Sequence, residues 1–104
     1  MQRIAFKMKL KPGMKQEYRR RHDEIWPELV ELLRHAGVRD YSIFLDEDTD
    51  TLFAVQKVLG NRGAQDLGAE PVVQEWWAHM ADVVESDENH VPHTTPLEEL
   101  FHLE

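Results

Sequence analysis

The sequence predicts an α+β domain in which helices cover one face of an antiparallel sheet, and three observations lead to this class. The chain has 104 residues, which is enough for one domain spanning 1–104 and short for two. Its hydrophobic residues, 41% of the total, recur with a period of two in some segments and near 3.6 in others. No apolar run reaches the roughly 18 residues that indicate a membrane span.

The first element is a strand, because apolar residues alternate with polar or small ones up to the turn at Pro12-Gly13. Its apolar residues are Ile4, Phe6, Met8 and Leu10. We expect this strand to bury one face.

A helix is predicted next, since the residues of one side recur every three or four positions and Gly37 stands where a helix C-cap belongs. The residues of this side are Met14, Tyr18, His22, Ile25, Leu29, Leu32, Leu33 and Ala36. Pro27 lies inside the segment and has no N–H to donate to the carbonyl of Asp23, so we expect a kink or a restart around Ile25–Trp26.

The rest of the chain predicts a hairpin, a helix and a last strand. The β-rich runs Tyr41–Leu45 and Leu52–Val55 flank a turn-forming acidic segment. Pro71 suits the first turn of a second amphipathic helix that extends to Val83. Glu85–Pro96 is expected to be a polar loop and Glu98–Leu103 a last strand. The order is β-α-β-β-α-β, the split arrangement of ferredoxin-like folds.

The hairpin carries apolar residues on both faces. Phe44 points away from its strand neighbours Tyr41 and Ile43, and Phe53 and Val55 alternate with Leu52 and Ala54 in the same way. Two helices cover only one side of a sheet, so the other side needs a second layer. A second copy of the same sheet supplies one, and we therefore expect a homodimer.

Composition excludes several classes of function. Twenty acidic residues against twelve basic ones give a net charge of −8, which argues against nucleic acid or a membrane surface as the partner. The chain has no cysteine, no glycine-rich nucleotide loop, no H-E-x-x-H and no nucleophile elbow. Its first seven residues alternate and do not form a signal peptide, so a cytoplasmic location is expected. What remains is acid–base chemistry by His, Tyr, Asp or Glu.

Basic residues concentrate at the start of the chain. Residues 1–22 carry eight basic side chains and one acidic side chain. We expect acidic segments of the same chain or of a second copy to neutralise them, with Arg19–Arg21 on a solvated or dimer-facing surface.

Tyr18 and His22 lie one helical turn apart on the side that faces the sheet. Two inward polar groups are explained equally by two interpretations: hydrogen-bonded core residues, or a site for proton transfer. The second is open to His22 because the ordinary pKa of histidine, about 6.5, lets it gain or lose a proton near neutral pH.

Trp76 and Trp77 are adjacent on the second helix and point about 100° apart, so both cannot enter one core site. One of them can line a cavity, where an indole face suits the C–H patches of a pyranose; core or interface packing is the alternative. Tyr41 is open to the same two interpretations.

His90 and His93 have a spacing that a metal site can use. No third ligand accompanies them, so we expect no metal.

Three separated motifs resemble the L-rhamnose mutarotase family: Tyr18–Leu29, Tyr41–Asp46 and Glu75–Val83. The resemblance extends from Ala5 to Phe101 and implies a dimeric α/β barrel of two ferredoxin-like subunits. It implies an isomerase that interconverts the α and β anomers of L-rhamnopyranose without a cofactor. It also implies roles for individual residues. These are His22 as proton donor and Tyr18, Tyr41, Trp76 and Trp77 as sugar contacts.

Two other functions fit the same residues. A cofactorless monooxygenase of the same barrel class needs an apolar pocket with inward His and Trp, and oxygen uptake would distinguish it. A non-catalytic sugar-binding module would bind rhamnose and leave the rate of anomer exchange unchanged.

Overall fold

A computed structural model describes all 104 residues and contains four strands and three α-helices. In chain order they are β1 (Gln2–Lys9), α1 (Lys15–Asp23), α2 (Pro27–His35), β2 (Val38–Asp46), β3 (Thr51–Val58), α3 (Pro71–Met80) and β4 (Thr95–Leu97), with a 3-10 turn at Ala64–Asp66. None of the helices has the length and apolar character that crossing a bilayer requires.

The strands form one antiparallel sheet in the order β2-β3-β1-β4. β1 pairs with β3 over its whole length, from Gln2 opposite Val58 to Lys9 opposite Thr51. This order and the alternation of helices with strands confirm the predicted α+β, ferredoxin-like class.

The predicted first helix is two helices. α1 ends at Asp23 and α2 begins at Pro27, where a proline suits the first helical turn because its missing N–H would have no partner there. Gly37 follows α2 with φ of +97°, a left-handed conformation that costs glycine little. The predicted restart near Ile25–Trp26 is confirmed.

The core lies between the inner face of the sheet and the helices. It combines the buried side of α3 with one residue each of α2 and β3 and with residues of the segments that follow β1, β3 and α3. Its members are Leu10, Leu29, Leu52, Leu67, Val73, Trp76, Met80, Val83 and Val84. α1 contributes no fully buried residue and only packs against the edge of this cluster through residues such as Tyr18.

The prediction for the end of the chain is wrong. The last strand is Thr95–Leu97, and Glu98–Leu103 has no regular structure. Pro96 is tolerated in β4 because β4 is an edge strand, whose outer N–H groups need no partner. The predicted loop Glu85–Pro96 is shorter than expected and is partly ordered by a bridge between Ser86 and Pro92.

Candidate active site

A cavity of about 940 Å³ lies between the inner face of the sheet and the helices. It is lined by all five residues singled out from the sequence: Tyr18, His22, Tyr41, Trp76 and Trp77. A recess of about 70 Å³ is lined by the same five side chains. Three elements therefore bring these residues to one place, α1 and α3 from the helical side and β2 from the sheet.

The α1 residues stack on one another and meet α3. The rings of Tyr18 and His22 lie 4.3 Å apart between centroids, as the spacing of one helical turn allows. The His22 ring also stands perpendicular to the indole of Trp76, with centroids 5.4 Å apart. The imidazole thus packs between a phenol and an indole.

His22 makes the only side-chain hydrogen bond within the protein among the five residues. Its Nδ1 lies 3.1 Å from the carbonyl oxygen of Tyr18, and because a carbonyl can only accept, Nδ1 carries the hydrogen. In the neutral ring this leaves Nε2 with a free lone pair. Burial lowers the pKa of His22 below 6.5, against a smaller opposing effect of the hydrogen bond to Tyr18. The imidazole is therefore mainly neutral at pH 7.

The two tyrosines stay protonated at any physiological pH. Burial raises the pKa of Tyr41 to about 12 and raises the pKa of Tyr18 well above its ordinary value. Because they keep their protons and have no partner in the protein, both hydroxyls are available to a ligand as donors and acceptors.

Trp76 and Trp77 are placed differently although they are neighbours. Trp76 belongs to the buried core, where Trp26 packs edge-on against it with centroids 5.1 Å apart. Trp77 is half-buried. A Cβ added at Gly68 would come within 2.9 Å of its ring, so the glycine leaves room for the indole. Both tryptophans line the cavity, and Trp76 serves the core as well.

The family model for L-rhamnose mutarotase matches residues 3–103. The chain belongs to the L-rhamnose mutarotase family. A member from Mesorhizobium japonicum is 55% identical over 102 residues, which are 98% of this chain and 97% of the relative. A member from Formosa agariphila is 53% identical over the full length of both chains.

One solved structure agrees with this membership, and another shares the fold. A crystal structure of L-rhamnose mutarotase from Formosa agariphila covers all of both chains with a TM-score of 0.93 and 49% identity. A Mycobacterium tuberculosis protein, 14% identical, matches with a TM-score of 0.58 over 98% of this chain, which shows a common fold alone. Membership in a mutarotase family makes this chain an isomerase and disfavours the monooxygenase and the non-catalytic module.

Arg21 is not the surface residue that the sequence suggested. Its side chain is only 13% exposed, and its guanidinium donates to the carboxylate of Asp82 at 2.6 and 3.1 Å and to the carbonyl oxygen of His79 at 2.6 Å. A further bond reaches Glu17 one turn earlier on α1. Arg21 thus ties the helix that carries Tyr18 to the end of α3. Three adjacent arginines gave no signal that one of them bonds to the end of α3.

The loop after α3 was also missed. Ser86, His90 and Pro92 line the small recess together with the five predicted residues. His90 holds a left-handed backbone conformation with φ of +68° at the turn of this loop. A polar loop without periodicity carries no sequence signal for the surface it will face.

Proposed function

We propose that this protein interconverts the α and β anomers of L-rhamnopyranose, with His22 moving the proton. The observation that carries the proposal is the convergence of one neutral imidazole, two unpaired phenol hydroxyls and two indoles on one cavity. A pyranose needs this combination, because apolar C–H patches and hydroxyl groups alternate on its surface.

The proposed reaction only relocates protons. The O–H bond of the anomeric hydroxyl breaks as the bond between C1 and the ring oxygen opens, and the ring oxygen gains a proton. Rotation about the bond between C1 and C2 followed by closure gives the other anomer. No atom changes its oxidation state overall, so the chemistry requires no redox partner.

Nε2 of His22 is the atom that we propose for both transfers. It has a free lone pair while the ring is neutral, so it first accepts the anomeric proton. The imidazolium then donates a proton to the ring oxygen, which is the donor role that the family resemblance implies. The two oxygens are bonded to the same carbon, so one nitrogen can serve both.

We propose that the tyrosines and tryptophans hold the sugar. The hydroxyls of Tyr18 and Tyr41 reach it from opposite walls of the cavity, as neutral hydrogen-bonding groups. Trp76 and Trp77 offer indole surface for its C–H patches.

The test is saturation transfer by NMR between the two anomeric protons of L-rhamnose, with and without protein. The wild-type chain should raise the exchange rate above the spontaneous rate, and His22→Asn should lower the protein-dependent rate by ~10²–10⁴, the usual contribution of a positioned acid or base. Rhamnose affinity and the circular dichroism spectrum should change little. A folded His22→Asn variant that keeps more than about a tenth of the rate would assign the proton to another residue.

We also propose that two copies pair through the outer face of the sheet. On this face Phe44 lies opposite Phe53, and Val55 lies opposite Ala5, whose neighbour on the other side is Leu97. Phe44 belongs to an edge strand and is 62% exposed. A contiguous apolar patch of this kind is typical of an interface.

The segment after β4 adds to the same surface. It carries Leu100, Phe101 and Leu103, which are about four-fifths exposed or more, and His102 contacts Arg3 of β1. A second copy would bury these side chains together with the sheet face.

Sedimentation equilibrium at micromolar concentration tests the pairing. The wild-type chain should sediment as a dimer and Phe44→Glu as a monomer, because a charge would be buried in the interface. Leu59→Glu is the matched control, since Leu59 is 64% exposed but lies beyond the end of β3. A wild-type monomer, or equal effects of the two variants, would refute this interface.

We propose that the chain works as one domain over residues 1–104 and in the cytoplasm. The location is supported by the family, because an L-rhamnose mutarotase is a metabolic enzyme. Fractionation of cells with an antibody against the protein tests it.

A further inference from the structure

Strand β2 loses its register with β3 just before Tyr41. Val38 lies opposite Val58, and Ser42 lies opposite Val55. The four steps along β2 therefore correspond to three along β3. β2 contains one extra residue between Arg39 and Ser42, which is a β-bulge.

The bulge changes which residues face the helices. Val38 is buried opposite the buried Val58, so it points inward. In a regular strand the residue three positions later would point outward, because side chains alternate. Tyr41 nevertheless lines the cavity, in phase with Ile43, which lies opposite the buried Ala54. The extra residue is what allows Val38 and Tyr41 to share one face.

Asp40 is the residue of the bulge with an unusual backbone. Its φ is +50°, in the left-handed region that Gly, Asn and Asp enter far more readily than other residues. Its carboxylate is 71% exposed and lies 3.6 Å from the ammonium of Lys57. An ion pair so open to water contributes little. The backbone of Asp40 is therefore the feature that matters for its neighbour.

We propose that Asp40 is a positioning residue, whose left-handed backbone forms the bulge that turns Tyr41 into the cavity. The consequence for sugar binding rests on the proposed function of Tyr41. The consequence for the direction of the Tyr41 side chain does not depend on that function.

Three substitutions separate the backbone of Asp40 from its charge. Asp40→Gly and Asp40→Asn remove the charge and keep a residue that tolerates the left-handed conformation. Asp40→Val removes the charge and strongly disfavours that conformation. We expect the first two to keep kcat/KM within about threefold of wild type and Asp40→Val to lower it by roughly tenfold or more, mainly through KM.

A double-mutant cycle tests whether Asp40 acts through Tyr41. In a Tyr41→Phe background, Asp40→Val should cost much less than it does alone, because the contact that it misplaces is already absent. Equal losses in the two backgrounds would show that Asp40 acts by another route.

A readout without activity uses the ionisation of Tyr41. The chain has two tyrosines, so in a Tyr18→Phe background the absorbance at about 295 nm reports Tyr41 alone. After a stopped-flow jump to about pH 11, Tyr41 should stay mostly protonated in the protein with Asp40 and in the Asp40→Gly variant. In the Asp40→Val variant Tyr41 should ionise readily, as a tyrosine with a pKa near 10 does. If Asp40→Val does not fold, Asp40→Ala takes its place against Asp40→Gly.

Three further results would overturn the proposal. A loss of kcat/KM in Asp40→Gly as large as that in Asp40→Val would assign the effect to the carboxylate. Asp40→Val, or its replacement Asp40→Ala, behaving like wild type would show that the backbone at this position does not direct Tyr41. Unchanged Tyr41 ionisation in that variant would show the same even if the protein had no effect on rhamnose.

Discussion

The two walls of the cavity are held in different ways. The helical wall presents Tyr18 and His22 from α1, which has no fully buried residue. The contacts of Arg21 and the ring contact between His22 and Trp76 join α1 to α3. The sheet wall presents Tyr41 from β2, which is hydrogen-bonded to β3, where Leu52 and Ala54 are fully buried.

This difference predicts that the helical wall is displaced more easily than the sheet wall. Ion pairs near water contribute little and weaken with salt, whereas a strand ladder over buried side chains resists displacement. The proposed proton carrier thus lies on the wall that is easier to move, and one sugar contact lies on the fixed wall. Changes in the helical ties should alter the rate more than the fold.

Among the tests that compare the two walls, removal of the tyrosine hydroxyl groups should have the largest effect, and the quantity affected is the affinity for rhamnose. Tyr18→Phe and Tyr41→Phe should each weaken rhamnose binding by roughly 1–3 kcal/mol, because each leaves a sugar hydroxyl without its partner. Neither should lower the free energy of unfolding, since neither hydroxyl bonds to the protein. Calorimetric titration and urea unfolding measure the two quantities. A destabilised variant with normal affinity would make that tyrosine a core residue.

Most of the fold could be predicted from the local periodicity of the apolar residues. Alternation and three- to four-residue spacing give the hairpin and α3, and Pro27 gives the break between α1 and α2. The last strand was misplaced because an edge strand of three residues around Pro96 has no periodicity of its own. Its position depends on pairing with β1, which is a contact distant in sequence.

The residues of the candidate site could be predicted where residue type and local spacing both point to them. They were missed where their position depends on contacts between elements distant in sequence. Tyr18 and His22 one turn apart are visible in the sequence, as is the adjacent tryptophan pair. The role of Arg21 depends on the far end of α3, which no local pattern announces. The bulge did leave a trace: the apolar positions Val38 and Tyr41 are three apart, and the spacing then returns to two.

A smaller effect should follow from cutting the tie between the helices. Arg21→Met should lower the free energy of unfolding by about 1–2 kcal/mol, a modest value because its partner Asp82 is 68% exposed. The exchange rate should fall about tenfold, since misplacement of a reacting group by about 1 Å is costly.

Arg20→Met is the matched control for this cut. Arg20 is the neighbouring arginine of the same helix and pairs only with Glu17 and Glu24 on the exposed side of α1. Its loss should leave both the rate and the stability close to those of the wild type. If Arg21→Met left the rate and the stability as close to those of the wild type as Arg20→Met does, α1 would need no tie to α3. Urea unfolding measures the stability and saturation transfer measures the rate.

The smallest effect should be the pH dependence of the helical wall. Burial lowers the pKa of His22 in the folded chain, and the unfolded chain has the ordinary value of 6.5. Between the two values the unfolded chain binds more protons, so stability is complete above pH 6.5 and is lost as the pH falls through the folded pKa. The exchange rate should fall in the same window, because protonation removes the lone pair of Nε2.

The titration of Glu17 does not overlap this window. Hydrogen bonds from Arg20 and Arg21 lower the pKa of Glu17 to about 2, well below the window of His22. His22→Asn should remove the His22 contribution from the stability profile, and a wild-type rate that begins to fall above pH 6.5 would contradict a buried, neutral imidazole as the proton acceptor.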